Sequence, residues 1–309
     1  MTLTQLHYTL AVAEQGNFTK AAEKCFVTQP TLSMQVQKLE EELTIKLFNR
    51  TTKPISLTPI GSKVIEQAKV ILKEAKRMED VITSEKGIIG GDFRIGIIPT
   101  VMPTLLPLFL KTFIKKFPKV NLKIEELNTA SIIEELKNGK LDAGIAATPL
   151  DDSKILEKPL YYEPFVGYIP ENHSLSKLKS LSVEDLEKID ILVLEDGHCF
   201  REHVLKLCQT TKSLNSFNLK SGSFETLIHL ANDGMGMTLL PYLQTKSLSE
   251  KNKKNLKTFE SPEPAREISM IYSKNQLKVP VIESLITIIE SIMRGAIKFQ
   301  NIKLITPTN

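Results

Sequence analysis

Two of the three cysteines of this 309-residue chain lie nine residues apart in the run LEDGHCFREHVLKLC, which extends from Leu194 to Cys208. Cys199 follows Gly197 and His198 and has Arg201 and His203 close behind it. A thiol attacks electrophiles as its thiolate, and cationic neighbours or a helix N-terminus lower its pKa. The run REHVLKL favours a helix starting near Cys199, which would put the Cys208 Cα about 13 Å from that of Cys199 at ~1.5 Å per residue. A disulfide needs Cα atoms within ~7 Å, so the pair can close only if the helix comes apart. That arrangement makes a poor staple and a good redox switch. His198, Cys199, His203 and Cys208 are also zinc- or copper-binding types, but their spacing matches no standard site.

Composition sets the frame for this thiol chemistry. With 41% hydrophobic residues the chain can bury a sizeable core, and its length suggests about two domains. Residues 1–88 carry 12 Lys+Arg against 10 Asp+Glu, so a nucleic-acid role must rest on motif and placement rather than charge. Three cysteines exclude a disulfide framework and fit a reducing compartment. The N-terminus has no signal-peptide pattern, and no stretch approaches the ~18 to 20 apolar residues of a membrane span. The expectation is a cytoplasmic protein with no membrane partner and no cofactor.

The first sixty residues read as helix, turn, capped helix and wing. Leu6, Tyr8, Leu10 and Val12 lie in a first helix that stops at Gly16, and Asn17 can cap a second. Thr28 can cap a third helix, with Pro30 in its first turn. Leu32, Val36, Leu39 and Leu43 recur by four, three and four and form its buried stripe. Gln29, Thr31, Ser33, Gln35 and Lys38 then face outward, where short hydrogen-bonding side chains suit base edges and phosphates, and with Thr28 and Pro30 they are the candidate DNA-binding residues of this helix. Phe48–Pro54 and Ile55–Thr58 read as two short strands about a basic turn carrying Arg50, Thr51 and Lys53. A polar helix face is commonly just solvated, and the order of elements is what turns it towards DNA.

This run resembles the N-terminal DNA-binding domain of LysR-type transcriptional regulators. The similarity lies in Phe18-Thr-Lys-Ala-Ala22, Val27-Thr-Gln-Pro-Thr-Leu-Ser33, Leu39-Glu-Glu-Glu-Leu43, Leu47-Phe-Asn-Arg50 and Leu57-Thr-Pro-Ile-Gly61. Residues 1–58 are therefore expected to form a winged helix-turn-helix, all-α apart from the wing. Residues 59–90 should be a long dimerisation helix ending in a hinge at Gly87–Gly91. Its seam is Val64, Ala68, Ile71, Ala75, Met78 and Ile82, alternating by four and three. Residues 91–309 alternate strand and helix, which implies a parallel sheet. With crossovers near Pro164 and Arg266 they resemble the two-lobed α/β fold of type 2 periplasmic binding proteins, the fold of LysR effector domains. Lobe I is expected at 91–163 and 268–303, and lobe II at 164–267. Ligands in such sheets sit at strand carboxyl ends, where Thr100, Thr129 and Cys199 can meet; simple N-capping is the bland alternative for each threonine.

The resemblance narrows to the hydrogen-peroxide-responsive members of the LysR family through Leu194–Cys199, Cys208, Ile97–Thr100, Gly139–Asp142, Ser223–Leu227 and Thr238–Pro241. It implies that Cys199 reacts with peroxide and that Cys208 resolves the product as a disulfide. It carries the peroxide-site threonines and histidine onto Thr100, Thr129 and His198, and the arginine near the reactive cysteine onto Arg201. Implied partners are double-stranded promoter DNA, hydrogen peroxide, further copies as a dimer of dimers, RNA polymerase and a cellular thiol reductant. Cys25 is expected to be an ordinary buried thiol. Two other readings stand beside this one: a LysR-type regulator of metabolism answering a small organic effector, and a thiol peroxidase enzyme.

Overall fold

The computed structural model describes residues 1–85, 89–186, 189, 191–208, 221–297 and 302–306, without the side chains of residues 73, 76, 77 and 79–85. The chain divides into two units, Met1–Lys86 and Gly87–Asn309.

The first unit opens with α1 (Leu3–Gln15), α2 (Phe18–Lys24) and α3 (Gln29–Leu43), followed by β1 (Phe48–Asn49), β2 (Ser56–Leu57) and α4 (Pro59–Glu85). Its boundaries follow from local chemistry. Thr2 and Gln5 form a reciprocal capping box on α1. Asn17 accepts hydrogen bonds from the Thr19 and Lys20 N–H groups, and Thr28 accepts one from Thr31. The stripe of α3 is buried at Leu32, Val36 and Leu39 and meets Leu6, Val12, Ala21 and Leu47 in one core. β1 and β2 pair antiparallel as the wing, Phe48 opposite Leu57.

α4 departs from the simple seam. Ala68 is 1% exposed inside the first unit's own core, and Val64 and Ile71 pack against that core half-buried. Ala68 therefore cannot face a partner: the four-three pattern specifies an apolar stripe without saying whose surface covers it. Met78 is 68% exposed. The Ile82 side chain lies outside the described residues, as does part of the expected hinge at Gly87–Gly91.

The second unit runs β3 (Gly91–Ile97), α5 (Met102–Lys116), β4 (Val120–Glu126), α6 (Thr129–Lys137), β5 (Ala143–Thr148) and β6 (Ile155–Tyr168). It continues with β7 (Ile191–Leu192), α7 (Cys199–Leu207), α8 (Phe224–Asn232), β8 (Met237–Pro241), α9 (Tyr242–Thr245) and α10 (Glu250–Lys253). The chain ends with β9 (Leu256–Lys257), β10 (Glu263–Ser273), α11 (Val279–Ala296) and β11 (Ile302–Leu304). The strands form one sheet in the order β4-β3-β5-β10-β6-β8-β7, with β11 on β10 and β9 on β6. It is mixed rather than parallel. β3 pairs parallel with β4 and β5, and β7 with β8, but β10 runs antiparallel to β5 and β6. The return strands β6 and β10 cross between the halves, with Ala265 opposite Pro164 and Arg266 opposite Glu163. Each half has its own apolar core: Phe93, Phe109, Phe113 and Ile289 mark one, and Phe165, Phe200, Leu227 and Leu240 the other. Burying each such side chain is worth roughly 1.5–3 kcal/mol.

Candidate functional site

The αL turn at Gly197 (φ +92°), awkward for any residue with a Cβ, leads straight into α7. Cys199 is the first residue of that helix and His198 its N-cap, so the thiol sits where free backbone N–H groups converge. A Cβ on Gly222 would lie 2.9 Å from His198 Nε2, so glycine there makes room for the ring. Ile98, Pro99, Thr100, Asn128, Thr129, Gly197, His198 and Cys199 line one small pocket. Neither threonine is spent as a cap. Asn128 caps α6, leaving the Thr129 hydroxyl buried without a well-aligned partner. The Thr100 hydroxyl accepts a hydrogen bond from Arg266 Nη1 at 2.9 Å.

Arg266 is the main addition to the residues expected from sequence. It is fully buried, donates from Nε and Nη2 to Glu163 Oε2 at 3.1 and 2.8 Å, and lies 5.0 Å from the centre of the Phe200 ring. Glu163 Oε1 accepts the Leu243 N–H at 3.0 Å. Burial pushes the Cys199 thiol above its ordinary value; Arg266, the Thr129 hydroxyl and the Phe200 and Ala147 N–H groups pull the other way. Desolvation thus outweighs the acidification expected from a helix N-terminus with cationic neighbours. Arg201 is not that neighbour. Its Nη1 donates to the Leu194 carbonyl at 3.1 Å and its Nε lies 2.9 Å from Asp196 Oδ1, so it braces the loop before α7. The family resemblance, and its place two residues after Cys199, point to Arg201. The overlooked signal was an Arg and a Glu set into apolar strand runs, charges that burial requires to be paired.

The helix between the thiols is formed throughout, with Cys208 as its C-cap, so about 13 Å separates the Cα atoms. Cys199 packs against the core of one half and Cys208 is buried in the core of the other. Burial raises the Cys208 thiol to about 12. His203 is fully buried with Nδ1 2.7 Å from the Cys199 carbonyl oxygen and Nε2 unpartnered; burial, then Arg266, lower its pKa to about 3. Among the described residues no three His, Cys, Asp or Glu side chains gather as a metal site.

In the first unit Thr28, Gln29, Pro30, Thr31 and Lys38 are exposed on α3, with Ser33 and Gln35 half-buried beside Met34, which sequence reading passed over. Arg50, Thr51 and Lys53 are exposed on the wing, but Arg50 is engaged internally. Its Nη2 lies 3.1 Å from Oε2 of Glu40, a buried carboxylate that also accepts the Leu47 N–H at 2.8 Å, and its guanidinium lies over Phe18. Glu40 went unnoticed because Glu40, Glu41 and Glu42 look alike in sequence. Cys25 is half-buried rather than enclosed, with its sulfur 3.9 Å from His7 Nδ1.

Residues 3–62 match the bacterial regulatory helix-turn-helix of the lysR family and residues 87–294 the LysR substrate binding domain. The chain belongs to the LysR family of DNA-binding transcriptional regulators. It is 33% identical over 272 residues to the hydrogen peroxide-inducible genes activator of Pectobacterium carotovorum, covering 88% of this chain and 90% of that one. Full-length OxyR from Pseudomonas aeruginosa matches with a TM-score of 0.72 and 32% identity, over 94% of this chain and 98% of that one. A hydrogen-peroxide-bound mutant of OxyR from Corynebacterium glutamicum matches with a TM-score of 0.65 and 28% identity, over 98% of both chains. Among the described residues no helix is long and apolar enough to cross a membrane.

Proposed function

We propose that this chain is a peroxide-responsive transcriptional regulator that switches by joining Cys199 to Cys208. One observation carries the reading: a helix with a thiol at each end has its first thiol in a small pocket beside the buried Thr129 hydroxyl. The Cys199 thiolate attacks one peroxide oxygen, the O–O bond breaks, and the departing hydroxide takes a proton and leaves as water, giving a sulfenic acid. The Cys208 thiolate then attacks that sulfur and a second water leaves, giving the disulfide. Thr129 and His198 orient the peroxide, and Thr100, held by Arg266, completes the pocket wall. The cellular thiol reductant reverses the switch.

The pocket offers no enclosed cavity of the about 300–1,000 Å³ that organic effectors occupy, which disfavours the metabolic alternative. A thiol peroxidase would turn over with reductant, whereas a regulator consumes peroxide about stoichiometrically and is not an enzyme. Gln29, Thr31, Ser33 and Gln35 read or flank base edges, Thr28 and Pro30 set the helix entry, and Lys38, Thr51 and Lys53 meet phosphates of promoter DNA. α4 pairs two copies through its far end, Ala75, Met78 and Ile82, and two dimers act together in the cytoplasm on RNA polymerase. The working divisions are 1–58, 59–90 and 91–309. Thiol counting by mass spectrometry before and after one equivalent of peroxide tests the reading. Loss of two thiols with a Cys199–Cys208 peptide is expected. Both thiols free, or a bridge through Cys25, would overturn it.

A further inference from the structure

The last described segment lies outside the residues that match the family and is tied to the switch helix. β11 runs parallel to β10, with Ile302, Lys303 and Leu304 beside Glu263, Pro264 and Ala265. Ala265 also pairs with Pro164 of β6, so β11 occupies the opposite edge of β10, the edge that β5 takes up from Glu267 onward. The tail strand therefore ends beside Arg266, which is fully buried beneath Phe200. Ile305 donates its N–H to the Ala265 carbonyl at 2.8 Å and packs on the core that contains Phe200, Val204, Leu207 and Cys208. Thr306 Oγ1 accepts a hydrogen bond from Lys206 Nζ at 2.8 Å. A three-residue strand on an edge is marginal alone, so Ile305 and the Lys206 contact decide whether it stays.

We propose that residues 302–306 form a strap that clasps α7 while the thiols are reduced and is released when Cys199 and Cys208 join. The redox half rests on the function proposed above. Closing the disulfide brings Cα atoms about 13 Å apart to within ~7 Å, which unwinds the helix and carries Lys206, two residues before Cys208, away from Thr306. Val204 and Leu207 leave the core face on which Ile305 rests, and the strap loses its seat. By linkage, a strap that holds only the helical form opposes oxidation.

Hydrogen exchange of the full chain tests this. The Ile305 amide should exchange at least about tenfold faster in the disulfide form, the equivalent of losing one seated aliphatic side chain. Equal protection in both forms, with the disulfide confirmed by mass, overturns the strap. If peroxide leaves both thiols free, the functional reading fails instead. The clasp is then judged in reduced protein, where Lys206→Ala and Leu207→Ala should each hasten Ile305 exchange; unchanged exchange in both overturns it. A chain ending at Ile297 should shift the dithiol–disulfide equilibrium towards disulfide by about tenfold. Ile305→Ala, which keeps the tail, should do so in part, and an unmoved equilibrium in both refutes the opposition to oxidation.

Discussion

Both units bury a glutamate against an arginine that lies over a phenylalanine ring, and the two pairs do different work. In the first, Glu40 is fully buried but the Arg50 side chain is 40% exposed, and the carboxylate also accepts the Leu47 and Phe48 N–H groups at the root of the wing and lies 3.6 Å from Lys46 Nζ. In the second, Arg266 and Glu163 are both enclosed, 0% and 1% exposed, where the two return strands cross, and the arginine's remaining donors hold Thr100. A half-wet pair fixes a turn and tolerates exchange with solvent. A dry pair is stable only while complete, because either charge alone would be buried uncompensated. The dry pair also sets the field at Cys199, so chemistry and stability are coupled in the second unit and separable in the first.

The largest expected effect comes from breaking the dry pair. Arg266→Met should cost about 3–5 kcal/mol in denaturant unfolding of the second unit, since Glu163 is left as an unpaired buried charge. It should also slow the reaction of Cys199 with peroxide at fixed pH, by removing a cation that favours the thiolate. Adding Glu163→Gln should restore part of the stability but not the rate. A single variant that unfolds like the parent would mean the pair does not lock β6 to β10.

Acid is expected to act next, on the second unit. His203 has its pKa lowered to about 3 against an ordinary 6.5, so the unfolded chain binds the extra proton first as pH falls. Its contribution is present above about pH 6.5 and lost as pH falls through 3, up to about 5 kcal/mol at ~1.4 kcal/mol per pH unit. Native-state hydrogen exchange across that window should show α7 loosening, with a shallower dependence in His203→Gln. Identical slopes in the two proteins would remove His203 as the cause. Breaking the wet pair should cost less than breaking the dry one: Glu40→Ala, which strands the Leu47 N–H, is expected to cost about 1–3 kcal/mol. Glu40→Gln, which keeps an acceptor, should cost less, both read from thermal unfolding of the first unit.

The contrast also explains what the sequence discloses. The winged helix is legible because its instructions are local: Asn17 and Thr28 as caps, Pro30 in a first turn, and Leu32, Val36 and Leu39 at helical spacing. The pocket threonines are legible because they follow strands of a recognisable α/β alternation. β6 and β10 are legible from sequence only in their apolar stretches, 165–169 and 268–272. Lys158, Pro159, Glu163 and Pro164 interrupt the apolar pattern of β6 and Pro264, Arg266 and Glu267 that of β10, and the compensating partner of Glu163 is 103 residues away. Each charge set in an apolar run signals a buried pair, but nothing local says which residue is its partner, so Arg201 stands in for Arg266. Ala68 misled for a related reason, since a heptad pattern specifies a buried face without naming what buries it.

The smallest structural effect, and the cleanest functional one, is expected at the tip of the wing. Lys53 is exposed and enters no ion pair among the described residues, whereas Arg50 serves Glu40. If phosphate contact is the role of Lys53, Lys53→Ala should leave unfolding within about 0.5 kcal/mol of the parent. It should also weaken DNA binding across sequences and reduce the slope of log affinity against log salt by about one. Arg50→Ala should instead lose stability together with affinity, and Arg50→Lys should recover the charge but not the geometry that meets both Glu40 and the Phe18 ring. Measuring affinity at several salt concentrations alongside thermal unfolding separates the two residues. A Lys53 variant with an unchanged salt slope takes that side chain off the DNA, and an Arg50 variant that loses affinity without stability shows that its tie to Glu40 is incidental to the wing.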